Sequence, residues 1–295
     1  MSKRYSLNEY VEIINKYLET AIPECDFGED IVHNAMRYSL GIGGKRIRPV
    51  LVLEFCRVCG GDIEKALPFA AAIEMIHTYS LIHDDLPCMD DDDMRRGMPS
   101  CHKKYGEEYA LLAGDALLTR AFGIIAESLI AKESPEVAVK AIAELSCLAG
   151  SNGMIGGQVV DLKNEDKPCT LEVLQTMDSL KTGALIRCAA ELGVLAAKGN
   201  DNQLEGAKGY ADNLGHAFQI VDDILDVIGD EKELGKPIGS DAQSNKSTYV
   251  SILGIDKSKE YADEYTSKAI SSLDIFGEES EFLKKLALSL ISRKN

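Results

Sequence analysis

Positive charge is in short supply in this sequence. Its 295 residues hold 32 Lys and Arg against 48 Asp and Glu, a net charge of −16. That balance argues against nucleic acid or an anionic membrane as the main partner, because both require a positive face. It does not exclude a phosphate substrate, since metal ions can bridge acidic protein and acidic ligand. No uninterrupted apolar run approaches transmembrane length. The first residues, Met1-Ser2-Lys3-Arg4-Tyr5, lead into a charged amphipathic segment and not an apolar signal core. Stable membrane insertion is therefore not expected, and the expected setting is a reducing cytoplasm. Tryptophan is absent, so intrinsic fluorescence would report little on conformational closure. Of the 8 cysteines only Cys56 and Cys59 lie close together, without the second pair a structural zinc site needs. They sit in or beside the apolar stretch Leu51–Val58 and read as core thiols. Strand-like alternation bounded by turn pairs is missing as well.

What remains is helical periodicity. Tyr10, Ile13, Ile14, Tyr17 and Leu18 fall on one stripe, and the same spacing runs through 66–83, 110–131, 137–148 and 210–227. Connections are expected at 60–62, 133–135, 164–168 and 229–239, with Ser134-Pro135 as a helix start. With 45% hydrophobic residues, no repeat and no compositional break, the expected fold is all-α. It is read as a single domain, 1–295, a bundle of about ten or more helices.

Two acidic clusters interrupt the apolar pattern. The first reads His83-Asp84-Asp85-Leu86-Pro87-Cys88-Met89-Asp90-Asp91-Asp92-Asp93-Met94-Arg95-Arg96-Gly97. Pro87 disfavours a continuous helix; a helix ending near Asp85 and then a turn would return Asp90 to Asp84. So many carboxylates after an apolar helix call for divalent hard cations, and oxygen ligands suit Mg²⁺. The second cluster, Asp222-Asp223-Ile224-Leu225-Asp226, puts Asp222 and Asp226 on one helix face. Two such clusters predict metal ions held from opposite walls of a pocket. Because Mg²⁺ keeps room for substrate phosphates, a diphosphate or triphosphate ligand follows. Cations for those phosphates are offered by Lys45 and Arg48, expected on a helical start behind Gly43-Gly44, by Arg95-Arg96, and by Lys181, Lys236 and Lys246. His77 lies two turns before Asp84 on nearly the same face; taken alone it reads as a core histidine.

Asp-Asp-x4-Asp ending in Arg-Arg-Gly, paired with a later Asp-Asp-x2-Asp, resembles the trans-prenyl diphosphate synthases. Gly44–Pro49, Gly153-Met154, Gly156–Gln158 with Asp161, Lys181–Leu185, Phe218-Gln219 and Lys246–Tyr249 match in family order across nearly the whole chain. The spacing of the first cluster is similar to bacterial farnesyl and plant-type geranylgeranyl enzymes. The resemblance implies an isoprenoid-synthase helical bundle around a central active-site cavity, usually a homodimer. It implies that Asp84, Asp90, Asp222 and Asp226 hold three Mg²⁺ ions on an allylic diphosphate, with Asp85 and Asp223 orienting bound waters. Arg95, Lys181 and Lys236 would contact that diphosphate, while Gly44, Lys45, Arg48, His77 and Arg96 would hold isopentenyl diphosphate. Thr182 and Gln219 would face the carbocation, and a basic tail at Arg293-Lys294 would cover the site. Tyr79 and Ser80, about one turn below Asp84, are expected to limit product length. A bulky Tyr79 over a small Ser80 favours fifteen carbons, from dimethylallyl or geranyl diphosphate, over the twenty of a geranylgeranyl synthase. A terpene cyclase would replace the second Asp cluster by an Asn/Ser/Glu triad. A calcium-binding protein would show EF-hand spacing, and a silent partner subunit would commonly lose one cluster.

Overall fold

The computed structural model describes residues 3–25, 30–164, 167–228 and 247–291. The chain divides into two compact units, one of Met1–Ala143 with Leu195–Lys198, the other of Glu144–Val194 with Gly199–Asn295.

In the first unit, α1 (Leu7–Ala21) opens on a capping box in which Ser6 and Glu9 satisfy each other's backbone amides. Tyr10, Ile14 and Leu18 are buried as the stripe predicts, with Ile13 and Tyr17 half-buried beside them. The helices α2 (Ile31–Gly41), α3 (Ile47–Val58) and α4 (Ile63–Asp84) follow. Buried side chains occur on every face of α4, marking it as a core helix, and it packs against α1, α2, α3 and α6 (Glu107–Ala126). Short α5 (Cys101–Tyr105) and α7 (Leu129–Glu133) flank α6. The helical stretch expected over 110–131 is thus broken after Ala126, where Ser128 caps α7 by accepting from the Ala131 amide. Glu133-Ser134-Pro135 is the predicted break, and α8 (Pro135–Ala149) starts on Pro135. Cys56 is fully buried, and burial pushes its thiol up to about 12; Cys59 is half-buried. Among the described residues α6 is long and apolar enough to cross a membrane, though only 39% of that stretch is buried. It contains Asp115 and Arg120, so its own apolar run is interrupted.

One expectation fails locally. Met94–Arg95 and Met98–Pro99 form a two-stranded antiparallel ribbon, β1 and β2, pairing Met94 with Pro99 and Arg95 with Met98. Its two-residue turn, Arg96-Gly97, has φ +53° and +77°, the positive angles a type I′ hairpin requires.

The second unit contains α9 (Met154–Asn164), α10 (Leu171–Asp178) and α11 (Ala184–Ala196) up to Val194, followed by the long α12 (Asp201–Ile228). After them come α13 (Tyr249–Leu253), α14 (Ile255–Ser271) and α15 (Glu281–Ile291). Leu174, Ile220, Val221, Ile224, Tyr249 and Ala262 form a core between α10, α12, α13 and α14. Between α10 and α11 lies a π-helical turn, Ser179–Gly183.

Candidate active site

In the first unit α4 ends at Asp84, and the Asp90 amide donates to the Asp84 carbonyl at 2.8 Å. The turn inferred from Pro87 therefore exists, and it brings the Asp84 and Asp90 backbones together. Asp84 is half-buried and Asp90 to Asp93 are exposed. Asp85 is 2% exposed and gripped by Arg95, whose Nε lies 3.0 Å from Oδ1 and whose Nη2 also donates. Arg95 reaches Asp92 as well, at 3.2 Å. Burial raises the Asp85 carboxyl, while Arg95 pulls it back. Asp84, Asp85 and Asp90 offer only carboxylate oxygens, hard donors that fit Mg²⁺, while an imidazole, His102, joins Asp91 and Asp93 at the outer end of the cluster.

A second group in this unit is cationic. Arg96, held in the left-handed region, lays its guanidinium over Gly44, where a Cβ would collide with it; Gly44 has φ +129°. Glycine is needed there on both counts. Burial, then Arg48, Arg96, Arg46 and Arg95, hold His77 well below its ordinary range, so it is neutral at neutral pH. Burial also lowers Arg48, and Arg96 adds to that. The Arg48 Nε has no hydrogen-bond partner. Guanidinium groups that crowd one another and discharge a histidine are what a dianion would relieve. Gly44, Arg48, His77 and Arg96 thus converge. Lys45 is exposed and precedes the helix: α3 starts at Ile47, with Arg46 at its N-cap in the left-handed region. Lys45 and Arg48 therefore do not share a helical start.

Arg46 carries a role that its charge did not suggest. It is buried and bonds Glu74 at 2.5 Å, Asn15 at 3.0 Å and the Leu40 carbonyl, pinning α1, α2 and α4 behind the cationic group. His102 is another unforeseen residue. It is 7% exposed, with Nδ1 3.1 Å from Ser100 Oγ and Nε2 3.9 Å from Asp91 Oδ1. Only the ribbon, which turns the chain back, places it there.

Tyr79 is 5% exposed and meets His83 edge-on at 5.6 Å. Its hydroxyl has no partner, and burial, with Asp84, pushes it up to about 12. His83 in turn occupies the notch left by Gly114 of α6. Ser80 is half-buried and donates to the His77 carbonyl at 2.9 Å.

In the second unit the π turn presents Lys181 and Thr182. Such turns recur at functional sites because they re-aim side chains out of helical register. Lys181 Nζ lies 2.5 Å from Asp161 Oδ2 on α9. A Cβ on Gly157 would run into the Lys181 backbone nitrogen, and one on Gly215 would sit 3.0 Å from the Gly183 Cα. These glycines let α9 and α12 close on the π turn. Thr182 donates to Gln219 Oε1 at 3.4 Å, and Gln219 Nε2 donates to Asp223 at 3.3 Å. Asp223 also accepts from the Tyr249 amide at 2.8 Å, so it anchors the start of α13. Asp222 is half-buried and Asp226 is 3% exposed, one turn on along α12. Burial, then Asp223, lift Asp178 to about 8 against the pull of Tyr249. Lys236, Lys246 and Arg293-Lys294 lie outside the described residues.

Carboxylate clusters closing apolar helices, a set of convergent guanidinium groups, and an all-helical frame define an enzyme class that handles diphosphates with metal ions. More particularly, the chain belongs to the polyprenyl synthetase family, whose profile matches residues 29–282, and it is a trans-prenyl diphosphate synthase. It is 46% identical to a heterodimeric geranylgeranyl pyrophosphate synthase large subunit 1 of Arabidopsis thaliana, over 89% of this chain and 71% of that one. It is 45% identical to a farnesyl diphosphate synthase of Geobacillus stearothermophilus, over 88% and 87%. Among solved structures, an apo FPP/GFPP synthase from Zymomonas mobilis superposes with TM-score 0.86 at 35% identity, covering 97% of each chain.

Proposed function

We propose that residues 1–295 act as one prenyl-synthase domain that condenses isopentenyl diphosphate with dimethylallyl or geranyl diphosphate, giving (2E,6E)-farnesyl diphosphate. The observation that carries the chain-length reading is Tyr79, a bulky side chain buried just below Asp84 and braced by His83. One helical turn advances about 5.4 Å, similar to one isoprene unit, so an aromatic ring at this level removes about one unit of depth. The relatives are named for both chain lengths. The twenty-carbon product is the second reading, favoured by the identity to the Arabidopsis geranylgeranyl enzyme.

In this reading Asp84, Asp90, Asp222 and Asp226 hold Mg²⁺, which stabilises charge developing on the leaving diphosphate. Arg95 and Lys181 exchange their carboxylate partners, Asp85 and Asp161, for diphosphate oxygens. Gly44, Lys45, Arg48, neutral His77 and Arg96 bind the isopentenyl diphosphate, with His77 donating through N–H. Thr182 and Gln219 turn oxygens, not nucleophiles, toward the cation. The setting is cytoplasmic, and the assembly is a homodimer. Supporting the latter, Leu111 and Leu112 on α6 are 46% and 49% exposed.

Incubating the protein with Mg²⁺, isopentenyl diphosphate and dimethylallyl diphosphate is the test. A dominant fifteen-carbon product is expected, and Tyr79→Ala should lengthen it by one unit. A twenty-carbon product from the unaltered enzyme, or no lengthening in the variant, removes Tyr79 as the limit. No product from this mixture, nor with geranyl diphosphate as the starter, would make the chain a silent subunit.

A further inference from the structure

A third cluster of ligating groups lies apart from both Asp clusters. Cys25 follows α1, Asp30 stands at the N-cap position of α2 without a side-chain capping bond, and His33 lies in the first turn of that helix. One sulfur, one carboxylate oxygen and one imidazole nitrogen of these residues lie within 4.8 Å of one another. All three side chains are half-buried.

The carboxylate divides its two oxygens. Oδ2 is held by Arg37 Nη1 at 3.2 Å, and Arg37 Nη2 donates to the Pro23 carbonyl at 2.8 Å. Oδ1 is shut off from water and accepts no hydrogen bond, although His33 Nδ1 is 3.2 Å away. A carboxylate oxygen shut off from water without a hydrogen bond is poorly satisfied as it stands. It and the His33 nitrogen are well placed as two corners of one tetrahedron: with metal–ligand lengths of about 2.0–2.1 Å, adjacent donors stand roughly 3.3 Å apart. Arg37 then does for Asp30 what outer partners do for metal-bound carboxylates, fixing its orientation through the other oxygen.

We propose that Cys25, Asp30 and His33 form a zinc site that ties Cys25 to the first turn of α2. The donor set selects the metal. A thiolate and an imidazole suit Zn²⁺ and are poor ligands for Mg²⁺, so the Asp clusters and this site divide the two ions between them. Three protein ligands leave the fourth position to water. The short His-to-Asp spacing within one helical turn and the single cysteine explain why a search for paired CxxC motifs passes the site over.

The test is titration of the magnesium-loaded enzyme with Co²⁺, reading the sulfur-to-cobalt charge-transfer absorption in the near ultraviolet. Only thiolate ligation gives that band, so cobalt in the Asp clusters is silent. A saturable band is expected, displaced by Zn²⁺, lost in Cys25→Ser and weakened in His33→Ala. It should persist in Cys88→Ser, whose thiol adjoins the first Asp cluster. Arg37→Gln should weaken cobalt binding by ~10–100-fold, the usual cost of losing an outer partner. Zinc should raise the melting midpoint of the unaltered protein and leave that of Cys25→Ser unchanged. No band in the unaltered enzyme, or a band that survives Cys25→Ser and disappears with Cys88→Ser, overturns the proposal. Should Cys25→Ser misfold by circular dichroism, His33→Ala decides alone: an undiminished band there refutes the site.

Discussion

At the scale of single residues, the electrostatics of this protein are arranged against its own side chains, and the two units do it differently. The first crowds guanidinium groups around His77; the second crowds carboxyls. Glu191 is 1% exposed, and burial, with the hydrogen bond its protonated form donates to Glu144, raises it to about 7 despite Arg187 at 2.8 Å. A carboxyl raised from 4.5 keeps its proton in the fold, so the folded chain binds more protons than the unfolded one between these values. Stability contributed here is present at low pH and declines as pH rises from about 4.5 through about 7. Glu191→Gln should therefore raise the thermal midpoint above pH 7 and leave it unchanged near pH 4, as calorimetry at the two pH values would show. Gly44→Ala makes a different prediction, because its Cβ displaces Arg96 and its φ is strained. Loss of one charged hydrogen-bonding partner costs about 1.5–3 kcal/mol, hence a roughly tenfold or greater rise in KM for isopentenyl diphosphate. Steady-state kinetics should show the KM for the allylic substrate moving far less.

At the scale of elements, what could be read in advance was whatever periodicity controls. The stripe of α1, the run 66–83 inside α4, the break at Ser134-Pro135 and the shared face of Asp222 and Asp226 all follow from residue type and spacing. So did the turn after Asp85, because Pro87 closes off the alternative. Three things were not legible. The ribbon at 94–99 is too short to alternate, and its turn uses arginine where asparagine or glycine is usual. The π turn differs from a regular helix by a single hydrogen-bond register, which leaves no mark in composition. The burial of Arg46 depends on Glu74, 28 residues away in sequence. The π turn carries the prediction proper to this scale. Gly157→Ala cannot be accommodated without moving the Lys181 backbone, so kcat should fall at least about tenfold, the consequence of misplacing a positioned group. Circular dichroism should show the helical content retained; an unchanged kcat would mean that Lys181 is not positioned by this contact.

At the scale of the whole molecule, α6 stands out: apolar by composition, yet only 39% of its most hydrophobic stretch is buried. A second copy of the chain is the cover that the family resemblance implies. Leu111→Asp combined with Leu112→Asp should shift the sedimenting species from dimer to monomer in analytical ultracentrifugation. A monomer in the unaltered protein would refute the homodimer.

The Arg96-Gly97 turn bears on how such a chain responds to selection. A left-handed residue other than glycine or asparagine costs on the order of 1–2 kcal/mol, so Arg96→Asn or Arg96→Gly would relax the backbone while removing the guanidinium that lies over Gly44. A screen that rewarded heat resistance alone would drift toward those replacements, and a screen that rewarded turnover would restore arginine. If Arg96 binds substrate as proposed, one dihedral angle sets robustness against catalysis.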